Sequence, residues 1–237
     1  MGAIYLYGSA VRGGLQKDSD VDILAIVDED ISAMTKKELT EKLLIISGRI
    51  NNKESKRCLE LTIVKLSDIT PWKYPARRLY QYGEWLRADF EEGLIPAACI
   101  DPDLALILSQ VRQHSVTLVG SGEAASLISP IPQADINAAM ADLLDDLLNG
   151  LYEDERNTLL TLARMWATVE TGEFFSKDAA AIFVMPFINT QHSHLLEIAA
   201  KGYRGECVDN WDNLKNELHE LTAFMKQKIE CMLQKKS

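Results

Sequence analysis

The apolar residues of this chain follow one period before the stretch "VGSGEAASLISPIPQAD" (Val119–Asp135) and another after it. That switch constrains the fold more than any other feature, because strand and helix surfaces cannot share a repeat. Upstream, Ile4–Tyr7, Val21–Val27 and Cys58–Leu66 are short apolar runs that read as strands. Between them "MTKKELTEKLLIIS" carries Leu39, Leu43 and Ile46 at helical spacing, which predicts a helix over Lys36–Ser47. A further helix is expected from "DPDLALILSQVRQHS", with Asp101-Pro102 as cap and first position and apolar residues at 104, 107, 108 and 111. Downstream the pattern is helical throughout. Ile136, Met140, Leu143, Leu144 and Leu147 form one stripe; Leu159, Leu162, Trp166 and Val169 form another. Gly172 is placed to stop that second helix, Ser176 to cap the next, and Asp212–Gln234 to form the last. The intervening stretch is rich in Gly, Ser and Pro and has no period, as linkers do. The expected architecture is an α/β domain over residues 1–125, a small mixed sheet with helices, followed by an all-α helical bundle over residues 126–237.

Bulk properties narrow the partners. No apolar run approaches the roughly 18 residues a membrane helix needs, and Met1-Gly2-Ala3 opens no signal peptide, so no membrane partner is expected. Cys58, Cys99, Cys207 and Cys231 are scattered without a Cys-x-x-Cys, which fits reduced thiols in the cytoplasm. A net charge of −10 speaks against a nucleic-acid partner, since phosphate backbones are held by Lys and Arg. His192-x-His194 has no third ligand in its neighbourhood and is not read as a metal site. The four tryptophans read as packing residues, with Trp85 in "YGEWLRADF" also placed to line a cleft.

The chemistry concentrates in "YLYGSAVRGGLQKDSDVDILAIV", Tyr5–Val27. Side chains alternate along a strand, so Asp20 and Asp22 share a face, where two carboxylates repel unless a cation lies between them. Mg²⁺ is commonly held by one or two carboxylates plus substrate phosphate oxygens. Gly8-Ser9 ends the preceding strand in a turn whose backbone and hydroxyl can approach phosphate, and Ser19 adds a hydroxyl beside Asp20. Glu60 sits mid-strand in "CLELTIV", where a charge is unexpected unless its face opens onto a site; an edge glutamate facing water is the structural alternative. Lys177 follows the cap Ser176 in the first turn of a helix, where the dipole disfavours a cation and a bound phosphate would account for it.

The segment "GSAVRGGLQKDSDVDILAIV" resembles the nucleotidyltransferase superfamily related to DNA polymerase β. "YGEWLRADFE", "DPDLALIL", "DERNTLLTLARMW", "TGEFFSKDAAA" and "KGYRGEC" extend the likeness along nearly the whole chain to the aminoglycoside adenylyltransferases. Within that family the chain is most similar to members that adenylylate the 9-hydroxyl of spectinomycin. The resemblance implies Mg²⁺-dependent transfer of AMP from ATP to an antibiotic hydroxyl, pyrophosphate leaving, with resistance as the consequence. It implies two Mg²⁺ held by Asp20, Asp22 and Glu60, with Glu60 also the base that takes the substrate's proton. It further implies that Asp103, Arg164, Lys177 and Tyr203 meet the nucleotide, alongside Gly8, Ser9 and Ser19, with ATP bound across the domain cleft. Helix capping, surface ion pairing and packing are the structural alternatives for Asp103, for Arg164 and Lys177, and for Tyr203.

For a dicationic antibiotic the acidic run "YEDERN" (Tyr152–Asn157) is the expected wall, with Asp154 as anchor, Glu155 competing, Asn157 at a hydroxyl, and dipole complementation as the ordinary explanation. Members that also modify streptomycin carry a tryptophan shortly before this motif. Tyr152 is the nearby aromatic here, so spectinomycin alone is expected, with dual streptomycin 3''/spectinomycin 9 activity or a non-catalytic nucleotide-binding module as alternatives. Family relatives have a helix before the first strand, whereas here the strand opens at Ile4, so exposed apolar surface or another covering element is expected on that sheet. A monomer acting on small molecules completes the expectation.

Overall fold

A computed structural model describes residues 2–16, 19–50 and 56–236. The chain divides into two compact units, 1–131 and 132–237. The division falls six residues beyond the 125/126 boundary expected from sequence, because Ala124 and Ile128 are buried in the first unit's core.

The first unit runs β1 (Ala3–Tyr7), β2 (Val21–Val27), α1 (Ala33–Ile46), β3 (Leu59–Lys65), α2 (Leu66–Ile69), β4 (Ala76–Tyr82), α3 (Arg87–Glu91), β5 (Cys99–Asp101), α4 (Leu104–Gln113), β6 (Val116–Val119) and α5 (Ala124–Leu127). Its mixed sheet has the order β5-β4-β3-β2-β1-β6. Among the described strands only β2 and β3 pair parallel, the crossover between them including α1. Alternation sorts the side chains into two cores. Tyr5, Tyr7, Leu24, Ile26 and Val64 lie under α4, whose Leu104, Ile107, Leu108 and Val111 are the positions predicted from their spacing. Ala25, Leu61, Ile63, Tyr80 and Tyr82 take Leu43 of α1 and Phe90 on the other face.

Ser32 caps α1, its Oγ accepting from Thr35 N at 3.1 Å, so the helix starts three residues before the predicted Lys36, and Ile46 at its end is exposed. Asp101 is not the cap of α4. It ends β5, accepts from Arg78 Nη1 at 2.6 Å and from Asp103 N at 3.0 Å, and leaves Asp103 at the N-cap position. Every residue of the edge strand β6 is exposed, Val116, Leu118 and Val119 included.

The second unit is helical: α6 (Gln133–Asn149), α7 (Glu155–Thr171), α8 (Lys177–Val184), α9 (Thr190–Arg204) and α10 (Lys215–Lys235). Leu159, Leu160, Leu162, Ala163 and Ala167 of α7 are fully buried, so α7 is the central helix of this unit. Gly172 ends α7 with φ of 81°, a left-handed conformation that suits glycine, as the sequence predicted, while Ser176 stands at the N-cap position of α8 without a side-chain cap bond. No described helix is long and apolar enough to cross a membrane.

Candidate active site

In the first unit the site forms where β1 ends and the parallel pair β2–β3 begins. Tyr7 stands opposite Asp22, and Asp22 opposite Glu60, so one row crosses three strands. Direct partners on neighbouring strands present their side chains to the same face, here the face that carries Leu24 and Val64. Asp20 precedes β2 and, two residues from Asp22, belongs to the same side. Asp22 and Glu60 thus stand as direct partners at one strand edge, which an apolar pair would normally fill, with Asp20 just before it in the chain.

The turn after β1 is shaped to this row. Gly8 has φ of +66° and opens a 3-10 turn over Gly8–Ala10 that also holds Ser9. A Cβ on Gly8 would lie 1.9 Å from Asp22 Oδ2. The Asp22 carboxylate therefore occupies the space that any other residue would claim, and turn and acid are one construction. On the approach to Asp20, buried Ser19 accepts from Gln16 N at 3.0 Å. Arg57 donates to the carbonyls of Gln16 at 2.7 Å and Ser19 at 3.1 Å, the latter immediately before Asp20. Arg57 lies 41 and 38 positions away from these partners, and no local sequence signal marked it.

Burial pushes the Cys58 thiol up to about 11, and the charges of Asp20 and Glu84 add to the rise. Glu84 is itself buried and fully partnered: Tyr82 Oη donates to Oε1 at 2.6 Å and Arg87 Nε to Oε2 at 2.6 Å. Among the described residues no three acidic, imidazole or thiol groups form a ready metal cage. The donor set nonetheless suits Mg²⁺, which rarely takes an all-protein cage and completes its shell with water and substrate phosphate. Asp22 and Glu60 in register supply hard oxygens.

In the second unit four predicted residues join in one chain of contacts. Asp154 is the N-cap of α7, its side chain accepting from Asn157 N at 3.3 Å and from Asn157 Nδ2 at 2.6 Å. Asn157 Oδ1 accepts from Lys177 Nζ at 2.7 Å. The same ammonium stands 5.5 Å from the centroid of the Tyr203 ring, within cation–π range. Lys177 begins α8 as expected, while Ser176 Oγ donates to Asp178 Oδ1 at 2.7 Å instead of capping the backbone. Arg164 reaches the same region one step removed, donating to the Phe175 carbonyl just before Ser176 at 3.2 Å. Asp103, at the start of α4, belongs to the first unit and adjoins neither the carboxylate row nor this cluster in sequence. Trp85 is half-exposed rather than packed, its ring over Gly83, where a Cβ would come within 2.3 Å.

Comparison with known proteins agrees with both halves. Residues 2–86 match the model of the nucleotidyltransferase domain, and residues 126–228 that of the aminoglycoside adenylyltransferase C-terminal domain. A spectinomycin 9-adenylyltransferase of Staphylococcus aureus is 48% identical over 97% of this chain and 88% of its own. An aminoglycoside (3'') (9) adenylyltransferase of Escherichia coli is 39% identical over 96% of this chain and 87% of its own. The crystal structure of a spectinomycin adenyltransferase from Enterococcus faecalis, with ATP and spectinomycin, superposes with a TM-score of 0.92 at 31% identity. That match covers 96% of this chain and 91% of the other. With such identity sustained from end to end, the chain belongs to the aminoglycoside adenylyltransferase family.

Proposed function

We propose that this protein transfers AMP from ATP to the 9-hydroxyl of spectinomycin, releases pyrophosphate, and thereby confers resistance. The observation that carries the reading is the register of Asp22 with Glu60 beneath the Gly8 turn, in a chain 48% identical to a spectinomycin 9-adenylyltransferase. In the reaction the antibiotic's hydroxyl oxygen attacks the α-phosphorus, and the bond from that phosphorus to the β-phosphate oxygen breaks. Glu60 accepts the hydroxyl proton, a role its register opposite Asp22 supports. Asp20, Asp22 and Glu60 would hold Mg²⁺, which when bound neutralises triphosphate charge and orients the displacement. Gly8, Ser9 and Ser19 offer backbone and hydroxyl donors to the phosphates, and Asp103 serves the nucleotide side.

The helical unit supplies the cations. Lys177 takes the triphosphate at the start of α8, with Arg164 and Tyr203 beside it. Asp154 anchors a protonated amine of the antibiotic, and Asn157 binds a hydroxyl. The chain is proposed to act as a monomer.

The test is pyrophosphate release from ATP with spectinomycin, streptomycin and a kanamycin-type control in parallel. Spectinomycin alone should trigger release, with AMP recovered on the antibiotic. Release with streptomycin would establish the dual-specificity alternative, and ATP binding without release would establish a non-catalytic module.

A further inference from the structure

Two side chains that none of these roles employs brace the helical cluster. Arg156 grips Asp209 through two bonds, Nε to Oδ2 at 2.9 Å and Nη2 to Oδ1 at 2.6 Å. Trp211 Nε1 donates a third, to Oδ2 at 2.9 Å. The Asp209 side chain is 7% exposed, and a carboxylate so buried persists only when its lone pairs are met. The planar guanidinium fork meets them with a fixed orientation, which makes the pair a geometric constraint as well as an attraction.

The pair rests directly on α9. A Cβ at Gly202 would lie 3.1 Å from Asp209 Oδ1 and 3.2 Å from Arg156 Nε, so the helix admits the pair there because the residue is glycine. The neighbours of these residues are the ones that hold Lys177. Arg156 precedes Asn157 on α7, and Asn157 Oδ1 accepts from the lysine; Gly202 precedes Tyr203 on α9, and the Tyr203 ring lies against the same ammonium. Two links therefore join the start of α7 to the end of α9, one through Lys177 and one through Arg156 and Asp209. The second is rigid and one residue away from the first.

We propose that the Arg156–Asp209 pair is a positioning device that sets the spacing of Asn157 and Tyr203 and so aims the Lys177 ammonium at the nucleotide's phosphates. The inference rests on the reading of Lys177 as the triphosphate lysine. Arg156 and Asp209 act through that lysine, and their loss shows in nucleotide affinity.

The experiment is calorimetric titration of the whole protein with ATP and Mg²⁺, well below the unfolding temperature of every variant. Asp209→Asn keeps the volume and removes the charge; it should raise the Kd about tenfold, or about 1.4 kcal/mol. In a Lys177→Ala background the same change should add less than about twofold, because a residue acting through Lys177 has nothing left to act on. Gly202→Ala keeps both charges but crowds the pair, and should weaken ATP about threefold. Ile229→Val, in the buried face of α10, should lower Tm yet leave the Kd within about twofold. The proposal is overturned if Asp209→Asn leaves the Kd unchanged, or costs the same with and without Lys177, as general loosening would. A silent Asp209→Asn beside a damaging Lys177→Ala removes the positioning claim alone. A silent Lys177→Ala removes the triphosphate reading and the positioning claim together.

Discussion

The two halves of the molecule build their sites by different means. In the α/β unit the carboxylates are placed by the backbone: Asp22 and Glu60 meet because β2 and β3 are in register, and Gly8 yields its side-chain space to Asp22. In the helical unit the cluster is placed by side chains, through the Asp154–Asn157–Lys177 hydrogen bonds and the Tyr203 ring. A ladder fixes position to within the geometry of its hydrogen bonds, whereas a chain of side-chain contacts can reorganise when a ligand replaces one member. The contrast suits the division of labour proposed: bond making uses acids fixed by the strand ladder, and holding a triphosphate uses a side-chain cluster braced by the Arg156–Asp209 pair.

Substitutions that attack one kind of construction and spare the other sharpen this contrast. The largest effect is expected from Gly8→Ala. Its Cβ cannot coexist with the Asp22 carboxylate, and a displacement of order 1 Å costs about 100-fold in turnover, with unfolding free energy lowered by only about 1–2 kcal/mol. Steady-state kinetics beside denaturant unfolding reads both numbers, and full activity would detach the turn from the acids.

Next comes the buried support at Glu84. Burial alone would raise its pKa, but bonds from Arg87, Ser47 and Tyr82 outweigh that and hold it below its ordinary 4.5. A folded-state value lower than the unfolded one stabilises above the unfolded pKa, and that stability is lost as pH falls through the folded value. Unfolding free energy should therefore decline with acidification below about pH 4.5. Glu84→Gln should cost about 2 kcal/mol at neutral pH and flatten that decline. An unchanged acid limb would assign the decline to other groups.

A smaller effect is expected from Asp154→Asn. Asparagine still caps α7, so the fold is spared, while spectinomycin affinity should fall about tenfold and ATP affinity hold. Equal losses for both ligands would mean the cluster does not discriminate between them. The smallest belongs to Tyr5→Phe. Among the described residues the buried Tyr5 Oη, in the row behind Asp22, has no hydrogen-bond partner, so removing it should leave stability unchanged or raise it by up to about 1 kcal/mol. A loss would reveal a bridging water.

The same contrast governs what the sequence could reveal. Asp20, Asp22 and Glu60 were legible because strand alternation is short-ranged and a charge inside an apolar strand breaks it. Lys177 was legible because a cation in a helix's first turn opposes the dipole. Arg156 and Asp209 were not, being 53 positions apart and each unremarkable locally. Strands β4, β5 and β6 escaped for related reasons: β4 carries Arg77 and Arg78 within it, β5 is three residues long, and β6 is exposed on both faces and lacks alternation. The Asp101-Pro102 pair misled, because Asp101 is taken by Arg78 before it can cap a helix.

One comparison tests the division of labour most directly: single-turnover AMP transfer to spectinomycin and ATP affinity, measured together for Glu60→Gln and Lys177→Ala. Glu60→Gln should slow transfer at least about 100-fold with the ATP Kd within about twofold of wild type. Lys177→Ala should instead raise that Kd about tenfold or more. Transfer at the wild-type rate by Glu60→Gln would contradict the account at its centre, because the row that joins Asp22 to Glu60 would then hold no base.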